Sequence, residues 1–427
     1  MEKEKKLKFY TLIKALNNSY ESKQDSNSYF WGLTNSLYNI KDIFKYNLLS
    51  FNYKLYPYNE KSIIHIYNKD YDLPNFEYLN YKLKSLILMT YRNNYKPQVN
   101  SKNNAIYNSD CGWGCTIRSG QMILARAIYK VFKYENYTKG KKKLDKAFLI
   151  KSVIYYFLDN NLVLDNKDKE KYLGMQPYIS KLKEYVDKNY LKEKKDIYSI
   201  EPPFSIQKIC IMSEIIGKTC GEWYSDFDLP KIFDYINNGF NVFPNVKIEH
   251  FNTNMDISKI IESCFVEISK EKKCDKYIIF KDKKYMFEKM GIIFISIRLG
   301  LNTISNEYFP NIKKIFNCKE ILGFIGGKPR AASYFFGYVN DDFLFLDPHY
   351  NQTSVKDLEK EGIYSYIDKI VYKLPMTSLQ TALTLGFLFR NIDEFIDFME
   401  FCRSLSKDSN PIIFISNIKD LDLNQKE

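Results

Sequence analysis

The chain has 427 residues, of which 45% are hydrophobic, so it holds enough apolar material for one large enzyme domain or two to three average ones. Its formal net charge is +12, yet the lysines are interleaved with acidic residues and no aromatic or glycine-rich nucleic-acid motif accompanies them, which argues against nucleic-acid binding. No stretch approaches the roughly 20 apolar residues of a membrane span, and the charged start lacks the apolar core of a secretory signal.

The eight cysteines are scattered between positions 111 and 402. Free thiols in a reducing compartment explain this distribution better than a disulfide framework does. The sequence therefore predicts a cytoplasmic protein, and we expect a monomer.

Residues 1–30 read as a basic segment followed by a linker. Apolar residues between Phe9 and Leu16 repeat at helical spacing beneath a basic face. Such a helix usually docks on protein, although peripheral contact with a membrane surface is also compatible with this pattern. The packed domain is expected over residues 31–415, and residues 416–427 are expected to form a polar tail.

Hydrophobic periodicity predicts helices in the first half of this domain and strands in the second, which favours an α+β fold. Residues 226–290 mix one helix with irregular lysine-rich stretches and read as an auxiliary insertion. The other predicted elements, in chain order, are helices over 115–132, 147–158 and 206–216, strands over 292–299, 333–339 and 343–346, and a helix over 393–405.

Cys115 is the strongest candidate for a nucleophile. It stands at the predicted start of a helix, directly after the run Gly112-Trp113-Gly114. Unpaired N–H groups and the helix dipole stabilise a thiolate at such a position, and the glycines leave room for a substrate chain. A buried structural cysteine is the common alternative.

A candidate base lies far along the chain, at one of only three histidines. His349 follows Asp347 by two residues, and residues i and i+2 of an extended segment point to the same side. The carboxylate can then orient the imidazole and stabilise its charged form, although a surface histidine at a strand end is the plainer interpretation. Together with Cys115, the pair gives the Cys–His–acid combination of nucleophilic catalysis.

Other chemistries lack a complete motif. The Gly-Lys-Thr run at 217–219 lacks the first glycine of a phosphate loop, and the Gly-Gly-Lys run at 326–328 is followed by proline where a hydroxyl residue is needed. Cys111 and Cys115 have no second pair at zinc-ligand spacing, and no Gly-x-Ser-x-Gly is present. We therefore expect no metal site and no cofactor.

Two blocks of the sequence resemble those of the autophagins, the cysteine proteases of autophagy. The run Asp-Cys-Gly-Trp-Gly-Cys at 110–115 is similar to the family's catalytic-cysteine block. The Gly-Gly-Lys-Pro run at 326–329, with Leu-Asp-Pro-His at 346–349, is similar to its second block. The resemblance implies a papain-like fold with a small auxiliary subdomain, similar to the short-fingers domain of the family.

The resemblance also implies an activity. The family cleaves a ubiquitin-fold modifier, autophagy-related protein 8, after a C-terminal glycine, both to process the precursor and to release the modifier from phosphatidylethanolamine. It implies Cys115 as nucleophile, His349 as proton donor and acceptor, and Asp347 as the residue that orients it. Tyr91 matches the tyrosine that, with the Cys115 N–H, forms the oxyanion hole.

The expected substrate contacts also follow from the resemblance. Trp223 matches the tryptophan that covers the scissile glycine, and a loop at about 319–322 is expected to complete a slot too narrow for side chains. That loop lacks the proline expected there. The residues expected to bind the substrate are Trp113, Trp223, Arg298, Lys319, Glu320, Ile321 and Leu322.

Two alternatives stay open at this point. One is a non-catalytic scaffold that binds the modifier and keeps the fold, and the other is a papain-fold enzyme for a different glycine-ended modifier. The run Phe-Trp-Gly-Leu at 30–33 has the aromatic-x-x-aliphatic spacing of modifier-binding motifs, but four-residue matches of this kind are common by chance.

Overall fold

The computed structural model describes residues 63–72, 83, 85–138, 140, 145–164, 174–180, 198–269, 273–301 and 304–423. The predicted N-terminal segment, the 30–33 motif and the last four residues of the predicted tail lie outside the described residues. No helix within the described part is long and apolar enough to cross a membrane.

Helices and strands are interspersed along the described residues. The α-helices are α1 (Cys115–Thr138), α2 (Lys146–Ile154), α3 (Ile206–Ser213), α4 (Asp228–Phe240), α5 (Ile257–Cys264), α6 (Phe309–Ile315), α7 (Leu358–Glu361), α8 (Tyr364–Ile367) and α9 (Ile392–Ser406). The strands up to the middle of the chain are β1 (Ile63–Ile66), β2 (Lys69–Asp72), β3 (Tyr91–Val99), β4 (Ile106–Ser109), β5 (Leu162–Leu164), β6 (Tyr198–Ile200), β7 (Val246–Asn252) and β8 (Asn254–Asp256). They are followed by β9 (Phe265–Ile268), β10 (Ile278–Phe280), β11 (Lys283–Phe287), β12 (Met290–Arg298), β13 (Ile321–Lys328), β14 (Ala331–Val339), β15 (Asp342–Leu346), β16 (Asn351–Thr353), β17 (Tyr372–Pro375), β18 (Ala382–Phe389), β19 (Phe414–Ser416) and β20 (Leu421–Asp422).

A large, mostly antiparallel sheet forms the centre. Its strand order is β17-β15-β14-β13-β18-β12-β7, with β1 added to β14 and β2 to β1, and only the β12–β7 pair among these is parallel. Along β15, Phe343 and Phe345 face one hydrophobic core whereas Leu344 and Leu346 face the other. Because both faces are buried, the strands read as nearly continuous apolar runs.

Helices cover both faces of this sheet. Apolar residues of α1, α2, α3 and α4 share one core with one sheet face, and those of α5, α6 and α9 share the second core with the other face. Helices packed on a largely antiparallel sheet make an α+β fold, which confirms the prediction from periodicity.

Helix α1 positions the predicted nucleophile. It starts at Cys115, as the sequence predicted, and runs on to Thr138, although its buried residues end at Phe132. Ile117, Leu124 and Ile128 are fully buried on that face, and the helix packs against β13 and β14. The sulfur of Cys115 therefore lies at the N-terminus of a helix held in the core.

The stretch predicted as an insertion, residues 226–290, is divided in the structure. Strand β7 is the last strand of the large sheet. Helix α4 packs in the first core, because its residues Ile232, Phe233 and Ile236 form a buried apolar stripe. Pro230 lies in the first turn of α4, where a missing N–H costs no helical hydrogen bond. Strand β8 pairs with β19 in a two-stranded sheet, and the later strands form a separate sheet with strand order β20-β10-β11-β9.

The chain end also differs from the expected polar tail. Strand β20 pairs with β10, and Leu421 and Leu423 are buried. The C-terminal residues up to 423 are therefore part of the packed structure, because two leucines within a polar sequence reach the second core.

Candidate active site

The loop before α1 turns sharply to deliver Cys115. Gly112 has φ of +88°, a left-handed conformation that glycine adopts without strain. The backbone carbonyl of Asp110 accepts hydrogen bonds from the amides of Trp113 (3.2 Å) and Gly114 (2.9 Å). Cys115 follows as the first residue of the helix, and its side chain is buried. The glycines of the motif are thus explained by the turn that they make.

His349 and Asp347 come to the same place from the end of β15. One carboxylate oxygen of Asp347, Oδ1, accepts a hydrogen bond from the backbone N–H of His349 at 3.0 Å and contacts Nδ1 of its ring. The Pro348 carbonyl accepts from the amide of Tyr91 at 2.9 Å, and β16 pairs with β3 with Asn351 opposite Tyr91. These bonds join the histidine segment to the strand that carries Tyr91.

The Cys115 sulfur and the His349 imidazole stabilise each other's charged forms. Burial raises the pKa of Cys115, but hydrogen bonding and charge attraction from His349 outweigh it and leave the pKa below its ordinary value. Burial lowers the pKa of His349, but the charge of Asp347 and its hydrogen bond raise it to about 10. Both shifts favour the charged forms of the two residues, a thiolate beside an imidazolium.

Two further groups contact the sulfur. The hydroxyl of Tyr91 hydrogen-bonds to it, and burial together with the negative charge of Cys115 holds the pKa of Tyr91 well above its usual value, so the hydroxyl stays a donor. Its ring meets the His349 ring edge to face, with centroids 5.5 Å apart. The backbone amide of Ala332 also bonds to the sulfur. No sequence signal points to Ala332, because its contribution is a main-chain group.

A cavity of about 190 Å³ opens beside Cys115. Trp113, Trp223 and Arg330 are among the residues that line it. Trp113 is buried, whereas Trp223 is 48% exposed and is held by a hydrogen bond of 2.9 Å from its indole N–H to the Gly112 carbonyl. The guanidinium of Arg330 lies over the Trp223 ring, 5.2 Å from its centroid.

The predicted covering loop lies elsewhere. Lys319 is exposed and pairs with Asp397 at 2.8 Å, and the side chains of Glu320, Ile321 and Leu322 are buried at the start of β13. The far end of this strand reaches the cavity instead, and at about 3.3 Å per residue the two ends lie roughly 23 Å apart. The expectation for these four residues was wrong because the pocket rim is the β13–β14 turn, Lys328-Pro329-Arg330.

The remaining predicted residue, Arg298, lies one strand away from the cavity. It pairs in register with Ala382, which lines the cavity, and its exposed guanidinium donates to the carbonyls of Gly300 and Leu301 at 3.4 Å. A residue that the sequence did not single out, Asp226, also lines the cavity, and burial raises its pKa to about 6.

Comparisons with known proteins show which family the chain belongs to. Residues 76–401 match the family model of the Peptidase C54 catalytic domain. Cysteine protease ATG4C from Xenopus laevis is 27% identical over 325 residues, covering 73% of this chain and 67% of the relative. Cysteine protease ATG4B from Gallus gallus is 24% identical over 383 residues (85% and 84%), and cysteine protease ATG4b from Arabidopsis thaliana is 25% identical over 338 residues (76% and 60%).

The family match covers well over half of the chain and includes the Cys115 and His349 blocks. The sequence predicted a cysteine protease of the autophagin family, and the comparisons confirm both the family and the type of enzyme. The chain belongs to the Peptidase C54 family of ATG4 cysteine proteases, the autophagins, and is a cysteine-type peptidase of autophagy.

Proposed function

We propose that this protein cleaves the ubiquitin-fold autophagy modifier, autophagy-related protein 8, after its C-terminal glycine. The proposal covers both removal of residues that follow the glycine in a precursor and release of the modifier from phosphatidylethanolamine. The observation that carries it is the meeting of Cys115, His349 and Asp347 beside a cavity rimmed by Trp223. The relatives named as ATG4 proteases support the choice of pathway.

In the first half of the reaction, the Cys115 thiolate attacks the carbonyl carbon of the scissile glycine. The tetrahedral oxyanion accepts hydrogen bonds from the Tyr91 hydroxyl and the Cys115 backbone N–H. His349, protonated in the resting pair, gives its proton to the leaving amine, which is either a peptide amine or that of phosphatidylethanolamine. The product is a thioester between the modifier and Cys115.

In the second half, a water molecule attacks the thioester, and neutral His349 accepts its proton. Collapse of this second intermediate frees the glycine carboxylate and returns the thiolate–imidazolium pair. Asp347 holds the ring through both halves, so that the same nitrogen gives and then takes the proton. The same chemistry serves both substrates, because only the leaving amine differs.

Glycine specificity follows from the shape of the cavity. A chain that reaches Cys115 past Trp223 and the Lys328–Arg330 turn has little room for side chains, because the Arg330 guanidinium lies over the Trp223 ring. We assign the sheet formed by β9, β10, β11 and β20 as the small auxiliary subdomain.

We further propose that the protein acts in the cytoplasm as a monomer, with peripheral contact to the membrane that carries the conjugated modifier.

The test uses the purified chain and an autophagy modifier with a short C-terminal extension, followed by the modifier linked to phosphatidylethanolamine on vesicles. We expect both to be cut at the glycine, and the matched Cys115→Ala protein to cut neither. Binding without cleavage by the parent would favour a scaffold. Cleavage only of ubiquitin fusions would favour an enzyme for another glycine-ended modifier.

A further inference from the structure

A buried ion cluster lies directly behind the nucleophile. Arg118, one helical turn after Cys115, donates from Nε to Asp110 Oδ2 at 2.7 Å and from Nη2 to Asp110 Oδ1 at 3.1 Å. Its Nη1 donates to Asp159 Oδ1 at 3.1 Å. The three side chains are at most 2% exposed. Buried ion pairs add little net stability compared with apolar residues of similar volume, so stability alone does not account for the cluster.

Asp110 has bonds that reach both sides of the reaction centre. Its Oδ1 accepts from the backbone amide of Arg92, the residue after Tyr91, at 2.6 Å. Its main-chain carbonyl accepts from the amide of Gly114, the residue before Cys115, at 2.9 Å. One residue thus connects the strand that carries the Tyr91 hydroxyl to the helix that starts with the nucleophile.

The Asp110 carboxylate is tightly packed against the loop that precedes Cys115. A Cβ atom added to Gly114 would lie 2.3 Å from Oδ2 of Asp110, closer than any non-bonded contact allows. The carboxylate therefore presses against the backbone one residue before Cys115, and Arg118 holds it from the other side. Neither the loop nor the strand can shift without breaking bonds to a buried charge.

We propose that Asp110 is a positioning residue, which fixes the separation between the Tyr91 hydroxyl and the Cys115 sulfur and so assembles the oxyanion hole. The inference rests on the proposed function, because it concerns the same acyl transfer. Donors in an oxyanion hole stabilise the transition state more than the bound substrate. Loss of the Asp110 contacts should therefore lower kcat and leave KM nearly unchanged.

Asp159 provides the matched control. It bonds to the same guanidinium and is equally buried, but its other partners are the amide of Ile206 at 3.2 Å and the side-chain amide of Gln207 at 2.7 Å. Neither partner is attached to a reacting group. Asp110→Asn and Asp159→Asn therefore remove the same kind of charge from the same cluster, and only the first touches the Tyr91–Cys115 connection.

The experiment measures three quantities for the parent and both variants at a temperature at which circular dichroism finds all of them folded. They are kcat and KM for the extended modifier and the rate at which iodoacetamide alkylates Cys115. Alkylation needs the thiolate but no oxyanion hole. For Asp110→Asn we expect kcat to fall by about 30-fold to 300-fold with KM and the alkylation rate within about threefold, since one oxyanion donor contributes about 10²–10³ in kcat. Asp159→Asn should stay within about threefold throughout.

Equal losses of kcat in the two variants, or alkylation that falls in step with kcat in Asp110→Asn, would assign the cluster a purely structural role and overturn the inference. A parent enzyme that is alkylated at Cys115 but does not cut the modifier would instead refute the proposed function. The two failures are therefore distinguishable.

A second pair of variants covers the case in which Asp110→Asn does not fold. Gly114→Ala keeps the charge of Asp110 but pushes its carboxylate away, so kcat should again fall while alkylation persists. Gly239→Ala in α4 is the control, because a Cβ added there meets nothing within 4 Å. Unchanged kcat in a folded Gly114→Ala protein would contradict the proposal.

Discussion

The two walls of the catalytic cavity are built differently. On the inner wall, Tyr91 and Cys115 are buried, and the histidine segment is tied to β3 by backbone bonds. On the outer wall, Trp223 is half exposed, and the contacts that hold its ring are one hydrogen bond to Gly112 and the guanidinium of Arg330. The inner wall is fixed by many contacts and the outer wall by few.

This difference in the number of contacts matches the role of each wall in the reaction. Stabilisation of a developing charge depends on groups that are already in place before the reaction, because their reorganisation would add to the barrier. Entry of a polypeptide tail requires a wall that can move, and exposed side chains with few contacts move at low cost. We therefore expect changes on the inner wall to lower kcat and changes on the outer wall to act on KM and specificity.

The largest effect is expected from Asp347→Asn. The amide keeps the shape but loses the charge that orients His349 and raises its pKa to about 10. We expect kcat to fall on the order of 10³-fold to 10⁴-fold, and the alkaline limb of the pH–rate profile to move to lower pH, because imidazolium is lost earlier as pH rises. Asp393→Asn, an exposed carboxylate paired with Lys276, is the control. An unchanged alkaline limb in the Asp347 variant would contradict the assignment.

A smaller effect is expected in the titration of Cys115. Its pKa is lowered by the hydrogen bond and the charge of His349, so the thiolate should persist to lower pH than in a free cysteine. A free cysteine is only a few per cent thiolate at pH 7, so the gain in thiolate at that pH has an upper limit of about 30-fold. Ultraviolet absorbance of the thiolate against pH, with Cys115→Ala subtracted, measures it. A thiolate titration midpoint at pH 8.5 or above would show that His349 does not stabilise the thiolate, and would contradict the description of the inner wall as a fixed, charge-stabilising site.

On the outer wall, Trp223→Ala should widen the slot. We expect KM for the extended modifier to rise about tenfold with a small change in kcat, and the preference for glycine over alanine at the cleavage position to weaken by a similar factor, since one methylene is worth about 10-fold to 200-fold in a fitted pocket. Tyr137→Ala, which removes an aromatic ring that is 83% exposed, is the control. A fall in kcat with unchanged KM would place Trp223 with the inner wall instead.

The sequence predicted the inner wall far better than the outer one. Cys115 could be placed because a helix start after a glycine turn has a local signature, and His349 because histidine is scarce and a carboxylate stands two residues before it. Each of the two signals is local, because it depends on residues within a few positions of Cys115 or of His349. The bond from the Ala332 amide of β14 to the Cys115 sulfur, and the bond from Arg118 to Asp159 behind it, have no such local signature.

The outer wall depends on which end of a strand meets the cavity, and sequence alone does not reveal that. Residues 319–322 and the turn 328–330 flank one apolar strand, β13, and both contain lysine. Likewise, helix α4 was not predicted within residues 226–290. Its Pro230 lies in the first turn and its Gly239 near the end, where both are tolerated once the apolar stripe of the helix is buried. In these places packing against distant elements decided the structure.

The smallest predicted effect compares the two ends of β13. Lys328 lines the cavity, whereas Lys319 pairs with Asp397 on α9 at the opposite end. Lys328→Ala should raise KM about threefold, because the tail of the modifier passes this turn. Lys319→Ala should leave kcat and KM within about twofold, because an exposed ion pair contributes little. Steady-state kinetics of both variants on the extended modifier measure the difference. A larger change for Lys319→Ala than for Lys328→Ala would return the covering loop to residues 319–322 and remove the β13–β14 turn from the outer wall.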